Sequence, residues 1–231
     1  MRLTKITDRT IMLTVLESPD ATVNLALVLG AKHNFIIDTG VGSGSVAPLM
    51  EYIDKDKPIV VILTHKDWDH VYGNCVFEDM GCMIVAHTLC RQLMDEEWDR
   101  IMQRNLQSDR IIDGEARKCL PNVVFDNSLH FQDEGISLFH TPFHTEDGIS
   151  VYDAVDKILH IGDNFGFKDG KAYPWGKCAD DFKKMIDSYK KYDFNICLSG
   201  HCEPQTRDVI AMMEASFEPW QKYLRENNEA N

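Results

Sequence analysis

The sequence predicts a layered α/β fold, a four-layer αββα (helix/sheet/sheet/helix) sandwich formed by one unit over residues 1–231. Three observations predict it. With 231 residues, 44% of them hydrophobic, the chain can bury a full core, and a second catalytic domain would not fit beside it. Apolar segments run from the first strand to the last helix without a repeat, a low-complexity tract or a Pro/Gly/Ser-rich linker. Their order is strands, a helix, more strands, then helices, which differs from strict βαβ alternation and suits two sheets covered on their outer faces.

Short apolar runs bounded by turn residues predict strands at 11–16, 22–29, 34–38, 59–64, 83–86, 136–140, 149–153, 157–161 and 194–199. Val46, Leu49, Met50 and Ile53 recur at i, i+3, i+4, i+7 and predict one outer helix; Phe182, Met185, Ile186 and Tyr189 predict another. Leu89, Leu93, Met94, Trp98, Ile101 and Met102 mark a third over 87–109. A fourth, near 205–227, contains Pro219, whose ring and missing N–H should kink or split it.

The formal charge of −13, from 24 basic and 37 acidic residues, repels phosphate polymers and anionic membrane faces. Nucleic acid and membrane are therefore not expected as partners, and a small-molecule substrate is. The N-terminal MRLTKITDRTIMLTV alternates polar and apolar residues, without the continuous apolar run of a signal peptide, and is read as mature from Met1. Seven cysteines, odd in number and without a CxxC pair, argue against a disulfide framework and for a reducing, cytoplasmic setting.

The chemistry concentrates in Thr64-His65-Lys66-Asp67-Trp68-Asp69-His70, directly after the apolar run 58–63. A loop at the end of a buried strand can aim several short side chains at one point, and imidazole with carboxylate is the donor mixture of Zn, Fe or Mn. A polar loop that caps a helix would also explain the hexapeptide taken alone. Three further segments place a ligand-type residue beside an apolar strand or in a turn: His140 to His144, Ile161-Gly162-Asp163-Asn164 and Leu198-Ser199-Gly200-His201. Ile36-Ile37-Asp38-Thr39-Gly40 precedes them.

This ordered series resembles the five motifs of the metallo-β-lactamase superfamily and spans Asp38 to His201. The resemblance implies an αββα sandwich with two divalent metal ions at one edge. It assigns His65, Asp67, His144 and a bridging Asp163 to the first metal, and Asp69, His70, Asp163 and His201 to the second. Asp38 falls where the superfamily has an acid that supports the ligand loop by hydrogen bonds; a simple turn Asp before Thr-Gly is the other reading. The implied activity is a metal-dependent hydrolase in which a metal-bound hydroxide attacks an ester, thioester, lactone or related small substrate. Asp69 would be catalytic as well as a ligand, orienting the nucleophile and passing on its proton.

The sequence departs from the superfamily's common HxHxDH, because Asp67 stands where a histidine is usual. Asp67, Asp69 and Asp163 bring three negative charges, which with a hydroxide neutralise two divalent ions in full. The harder carboxylate favours Fe or Mn more than a three-histidine zinc position would, so Zn or Fe is expected, with Mn tolerated. Branches with a carboxylate here suggest two rivals. One is a small-molecule phosphodiesterase or phosphoesterase, suited to two metals but not, in so acidic a chain, to polymers. The other is a flavodiiron-like redox protein, for which the chain lacks a flavodoxin-sized segment.

Outside the motifs, Trp68, Phe143 and 168–176 are candidate pocket residues, with core packing favoured for Phe143. The region 87–121 would form a lid or the contact of a homodimer, and the sequence leaves both open. Cys202 is read as a small buried hydrophobe, and His33, His87, His130, His140 and His160 as structural or surface residues.

Overall fold

A computed structural model describes residues 1–206 and 208–228. Strands β1 (Arg2–Lys5), β2 (Thr10–Ser18), β3 (Ala21–Leu29) and β4 (Asn34–Ile37) pair antiparallel in chain order. Helix α1 (Ser43–Met50) leads to β5 (Ile59–Ile62), the short helices α2 (Trp68–Val71) and α3 (Asn74–Asp79) to β6 (Met83–His87), and α4 (Thr88–Leu106) to β7 (Val123–Phe125). Strands β5 to β7 add parallel to β4, giving a seven-stranded sheet in sequential order. Each parallel step needs a crossover, which places these helices on one face. Strand β5 is Ile-Val-Val-Ile with every residue buried, the pattern of a strand covered on both sides.

Strands β8 (Ser128–Phe131), β9 (Ile136–His140), β10 (Ile149–Asp153) and β11 (Ile158–His160) start the second sheet. A separate hairpin, β12 (Phe165–Lys168) with β13 (Lys171–Pro174), and helix α5 (Ala179–Tyr189) follow. Strands β14 (Ile196–Leu198) and β15 (Gln205–Thr206) complete the sheet in the order β15-β14-β11-β10-β9-β8, and α6 (Val209–Ala215) and α7 (Phe217–Asn228) end the chain's described part.

The alternation of strand side chains builds four layers. Phe35 and Ile37 of β4 and Val60 and Ile62 of β5 face inward and meet Leu138, Ile149 and Val151 of the second sheet. Ile36 and Val61 face outward and pack with Val46, Leu49, Tyr72, Met94 and Trp98 of the first helical layer. On the far side Leu159 and Cys197 pack with Phe182, Met185, Ile186 and Trp220 of α5 and α7. The expected αββα sandwich is the observed one.

Several details differ from the sequence expectation. The fourth helix is broken at Ser216, three residues before Pro219, which lies in the first turn of α7 where an N–H is not needed. Strands β1, β7, β8, β12, β13 and β15 and helices α2 and α3 were not foreseen. All seven cysteines are free, and the half-buried Cys202 accepts a hydrogen bond from Phe167 N at 3.1 Å, in place of the buried position expected for it.

A buried polar network fastens α5 to the second sheet. The Tyr189 hydroxyl lies 2.9 Å from Ser150 Oγ and 2.7 Å from Asn164 Nδ2, and Thr141 Oγ1 lies 2.8 Å from Ser150 Oγ. Burial pushes the Tyr189 phenol above its ordinary value, so it stays neutral and able to donate. Tyr189→Phe keeps the ring and orphans buried partners, and is expected to lower unfolding stability by about 1–3 kcal/mol in urea melts. A change within error would show that the network adds nothing.

Candidate metal centre

All five motif segments leave the C-terminal ends of strands: Asp38 after β4, residues 64–70 after β5, His144 after β9, Asp163 after β11 and His201 after β14. The first two belong to one sheet and the other three to the second, so the cluster lies where one end of the sandwich brings both sheets together. Cross-links close that end. Ile149 N donates to Thr64 O at 2.8 Å, Lys66 N to Asp147 Oδ2 at 2.7 Å, and Asn24 Nδ2 of β3 to Ser199 O and Cys202 O at 3.1 and 2.8 Å.

Asp38 organises the second motif. Its backbone is left-handed, with φ 59°, and its carboxylate accepts from Thr64 N, Thr64 Oγ1 and His70 Nδ1 at 2.7, 2.7 and 2.8 Å. These bonds give Asp38 more than the role of a simple turn Asp before Thr-Gly, the other reading of the sequence. Thr64 Oγ1, having given its proton to Asp38, accepts from His65 Nδ1 at 3.0 Å. On the other segments, His144 Nδ1 faces Trp175 O at 3.2 Å and His201 Nδ1 faces Thr22 O at 2.5 Å. Each of the four imidazoles thus has its Nδ1–H held by an oxygen, which leaves an Nε2 lone pair directed inward.

Those four Nε2 atoms surround one carboxylate oxygen. Asp163 Oδ2 lies 3.6 Å from His65, 4.0 Å from His144, 3.3 Å from His70 and 2.9 Å from His201. Asp67 Oδ2 lies 3.6 Å from His65 Nε2 and 3.3 Å from His144 Nε2; Asp69 Oδ2 lies 3.5 Å from His70 Nε2 and 3.4 Å from His201 Nε2. The side chains fall into two groups with donor atoms within 4.8 Å of one another, His65 with Asp67 and His144, and Asp69 with His70, Asp163 and His201. All seven residues singled out from the sequence are brought together.

The donor set fits bound metal on two counts. An ion about 2.0–2.1 Å from tetrahedral ligands leaves those ligands about 3.3–3.4 Å apart, close to most of these spacings. The buried His65 Nε2, His70 Nε2 and Asp163 Oδ1 have no hydrogen-bond partner, which is costly unless a cation receives them. Asp67 also occupies the N-cap position of α2 without using its carboxylate as a cap, having turned it to His65 and His144.

Without a metal, protons supply the missing positive charge. Burial opposes it, yet Asp163 and Asp69 hold His70 well above its ordinary value, and Asp163 holds His201 at about 9. Burial likewise acts against Asp67 and Asp163, but the surrounding imidazoles keep both carboxyls far below the usual carboxylate range.

Behind the cluster Gly200 sits where a Cβ would come within 2.0 Å of Asp163 Oδ1 and 2.8 Å of His70 Cε1, so no other residue fits. In front is a cavity of about 960 Å³, walled by Trp175 and Tyr173 from β13 and its end, by Phe167, and by α4. The Trp175 ring stands 5.6 Å from that of His201 and 6.3 Å from that of His144. The 168–176 segment is thus a pocket wall as expected, whereas Phe143 packs in the core against Phe165, Phe182 and Trp220. Trp68 is mostly buried against Tyr72, with one edge at the cavity. His140 stacks on His87 at 3.9 Å and takes no part in the cluster.

Sequence reasoning missed Glu17, a buried acid at the end of β2 whose Oε2 is 3.9 Å from His201 Nδ1. Burial first, and its hydrogen bond with Asp69 second, push its carboxyl up to about 8. Nothing in the run Leu16-Glu17-Ser18 distinguishes it from an ordinary strand end. Because its folded value exceeds the unfolded one near 4.5, the native state holds the extra proton, and stability falls as pH rises from about 4.5 to 8. In chelator-treated protein, Glu17→Gln should therefore raise Tm over wild type by an amount that grows from pH 5 to pH 9. A constant offset would show that the carboxyl is not shifted.

The model of the metallo-beta-lactamase superfamily matches residues 19–192. Similar solved structures are TMB-1, with 16% identity over 94% of this chain and 97% of that one at TM-score 0.74, and DIM-1 metallo-beta-lactamase exposed to ceftazidime, with 18% identity over 96% and 97% at 0.74. A metallo-beta-lactamase from Pontibacter korlensis gives 20% identity over 95% and 98% at 0.72. Fold and site together define a metal-dependent hydrolase. The chain belongs to the metallo-beta-lactamase superfamily.

Proposed function

We propose that the protein is a dinuclear metal-dependent hydrolase acting on a small ester, thioester, lactone or related substrate. The observation that carries this reading is the position of Asp163 Oδ2 among four inward-facing Nε2 atoms. His65, Asp67 and His144 would hold one ion, Asp69, His70 and His201 the other, with Asp163 between them. When bound, the ions supply a water made acidic enough to act as nucleophile at neutral pH and stabilise the charge that develops on the attacked group's oxygen.

The chain's own residues do the rest. Asp69 is buried with one carboxylate oxygen near both His70 and His201, a position from which its carboxylate would orient a water and accept its proton. Asp38, Thr64, Trp175 and Thr22 fix the tautomers of the four imidazoles, so no reorientation is needed when substrate arrives. The cavity is of the size that suits a small molecule rather than a polymer. Asp67 supports Zn or Fe, with Mn tolerated, since a carboxylate completes the first position.

Protein purified without added metal should contain two metal ions per chain by elemental analysis, and Asp69→Ala should lose turnover by at least about a hundredfold on whichever of lactone, thioester, β-lactam, phosphomonoester or phosphodiester is cleaved. Equal background for both proteins on all five classes would sink the hydrolase reading.

A further inference from the structure

The lining of the cavity has an unexpected charge. In a chain of net charge −13, the cavity that holds the metal-ligand cluster is also lined by Lys66, Arg100, Arg104, Arg110 and Lys168. Three of these come from α4 and the turn after it. Glu97, Arg100, Ile101 and Arg104 stand at i, i+3, i+4 and i+7, one stripe of α4 at the cavity, while Met94 and Trp98 on the adjoining stripe are buried in the core.

The neighbouring carboxylates do not use up this charge. Glu97 is shared, with Oε2 2.9 Å from Lys66 Nζ and Oε1 3.1 Å from Arg100 NH2. Arg110 lies over the Trp68 ring at 5.4 Å and reaches Glu17 only at 3.6 Å. Among the described residues the Arg104 and Lys168 side chains make no hydrogen bond or ion pair. With two divalent ions bound, the three Asp of the cluster and a hydroxide would balance them, and the basic residues along the cavity would keep an excess of positive charge. Guanidinium groups present paired donors that match carboxylate and phosphate oxygens.

We infer that this wall is an anion subsite and that the substrate carries, away from the bond that is cut, a carboxylate or phosphate received by Arg100, Arg104 and Arg110. The apolar part of the same molecule lies against Phe167, Tyr173 and Trp175. The cleavage half of this statement rests on the hydrolase reading; the binding half does not. The overall field repels anions, so the subsite works at short range and selects small anions over polyanions.

The test uses metal-loaded protein and three inert probes, phenylacetate, phenylphosphonate and the neutral phenylacetamide, titrated by calorimetry into wild type and Arg100→Ala/Arg104→Ala. Metal content is measured in both, so that anion binding to the ions themselves is held constant. For at least one anion, the ratio of its affinity to that of the amide should fall about tenfold in the double variant, as expected for loss of a charge-assisted contact. The better anion names the source of the charge. An unchanged ratio for both anions would place them on the metals alone and overturn the subsite. In a second arm, matched thioesters with and without a terminal carboxylate should show KM rising in the double variant for the charged member only. If wild type cleaves neither thioester while the calorimetric ratio still falls, the subsite stands and thioesters are removed from the hydrolase reading.

Discussion

The structure depends on what one carboxylate does. Asp38 ends a strand in a left-handed conformation that costs backbone energy, and the return is a single side chain that ties three donors from two residues of the next strand's loop. Through Thr64 and His70 it sets the direction of two imidazoles, one in each group of the cluster. Apolar packing brings the strands to this end of the sandwich, but it has no preference for how an imidazole is turned. Charge-assisted hydrogen bonds, short and directional, decide that.

The cluster is frustrated by itself and consistent once cations are counted. Two buried carboxylates and a half-buried one beside four imidazoles would be a poor core by packing alone, and against the cost of burial the carboxylates raise His70 and His201, so positive charge is favoured among these donors. On the dinuclear reading, Asp67 as a third carboxylate would shift this balance toward neutrality. On that reading the excess positive charge would lie with the arginines along the cavity and not at the centre itself.

Much of the molecule was legible because its signals are local. The run 58–63 is apolar throughout since both its faces are covered, and α5 shows its stripe since it lies on a surface. The seven cluster residues could be read because each sits in a short motif at a strand end. What escaped depends on partners distant in sequence. The hairpin β12–β13 has only four residues per strand, with Gly166 and Pro174 among them, and its role comes from Trp175 reaching His144 and His201. The carbonyls of Thr22 and Trp175 that orient two histidines are backbone atoms, for which a sequence carries no mark. Glu17 looks like any strand-end acid until β2 is placed beside Asp69, and Arg100 and Arg104 look like solvent-facing helix charges until α4 is laid along the cavity.

The division of the cluster between the sheets has a mechanical meaning. Asp38 and the 64–70 loop hang from one sheet, His144, Asp163 and His201 from the other, and the interior between them is aliphatic and aromatic, a contact without direction. On the dinuclear reading each ion takes donors from both, so the pair acts as a clasp across the open rim of a clam-like shell. Relative sliding of the halves is then resisted by bonds of fixed length, and the same atoms that perform the reaction set how stiff the shell is while performing it.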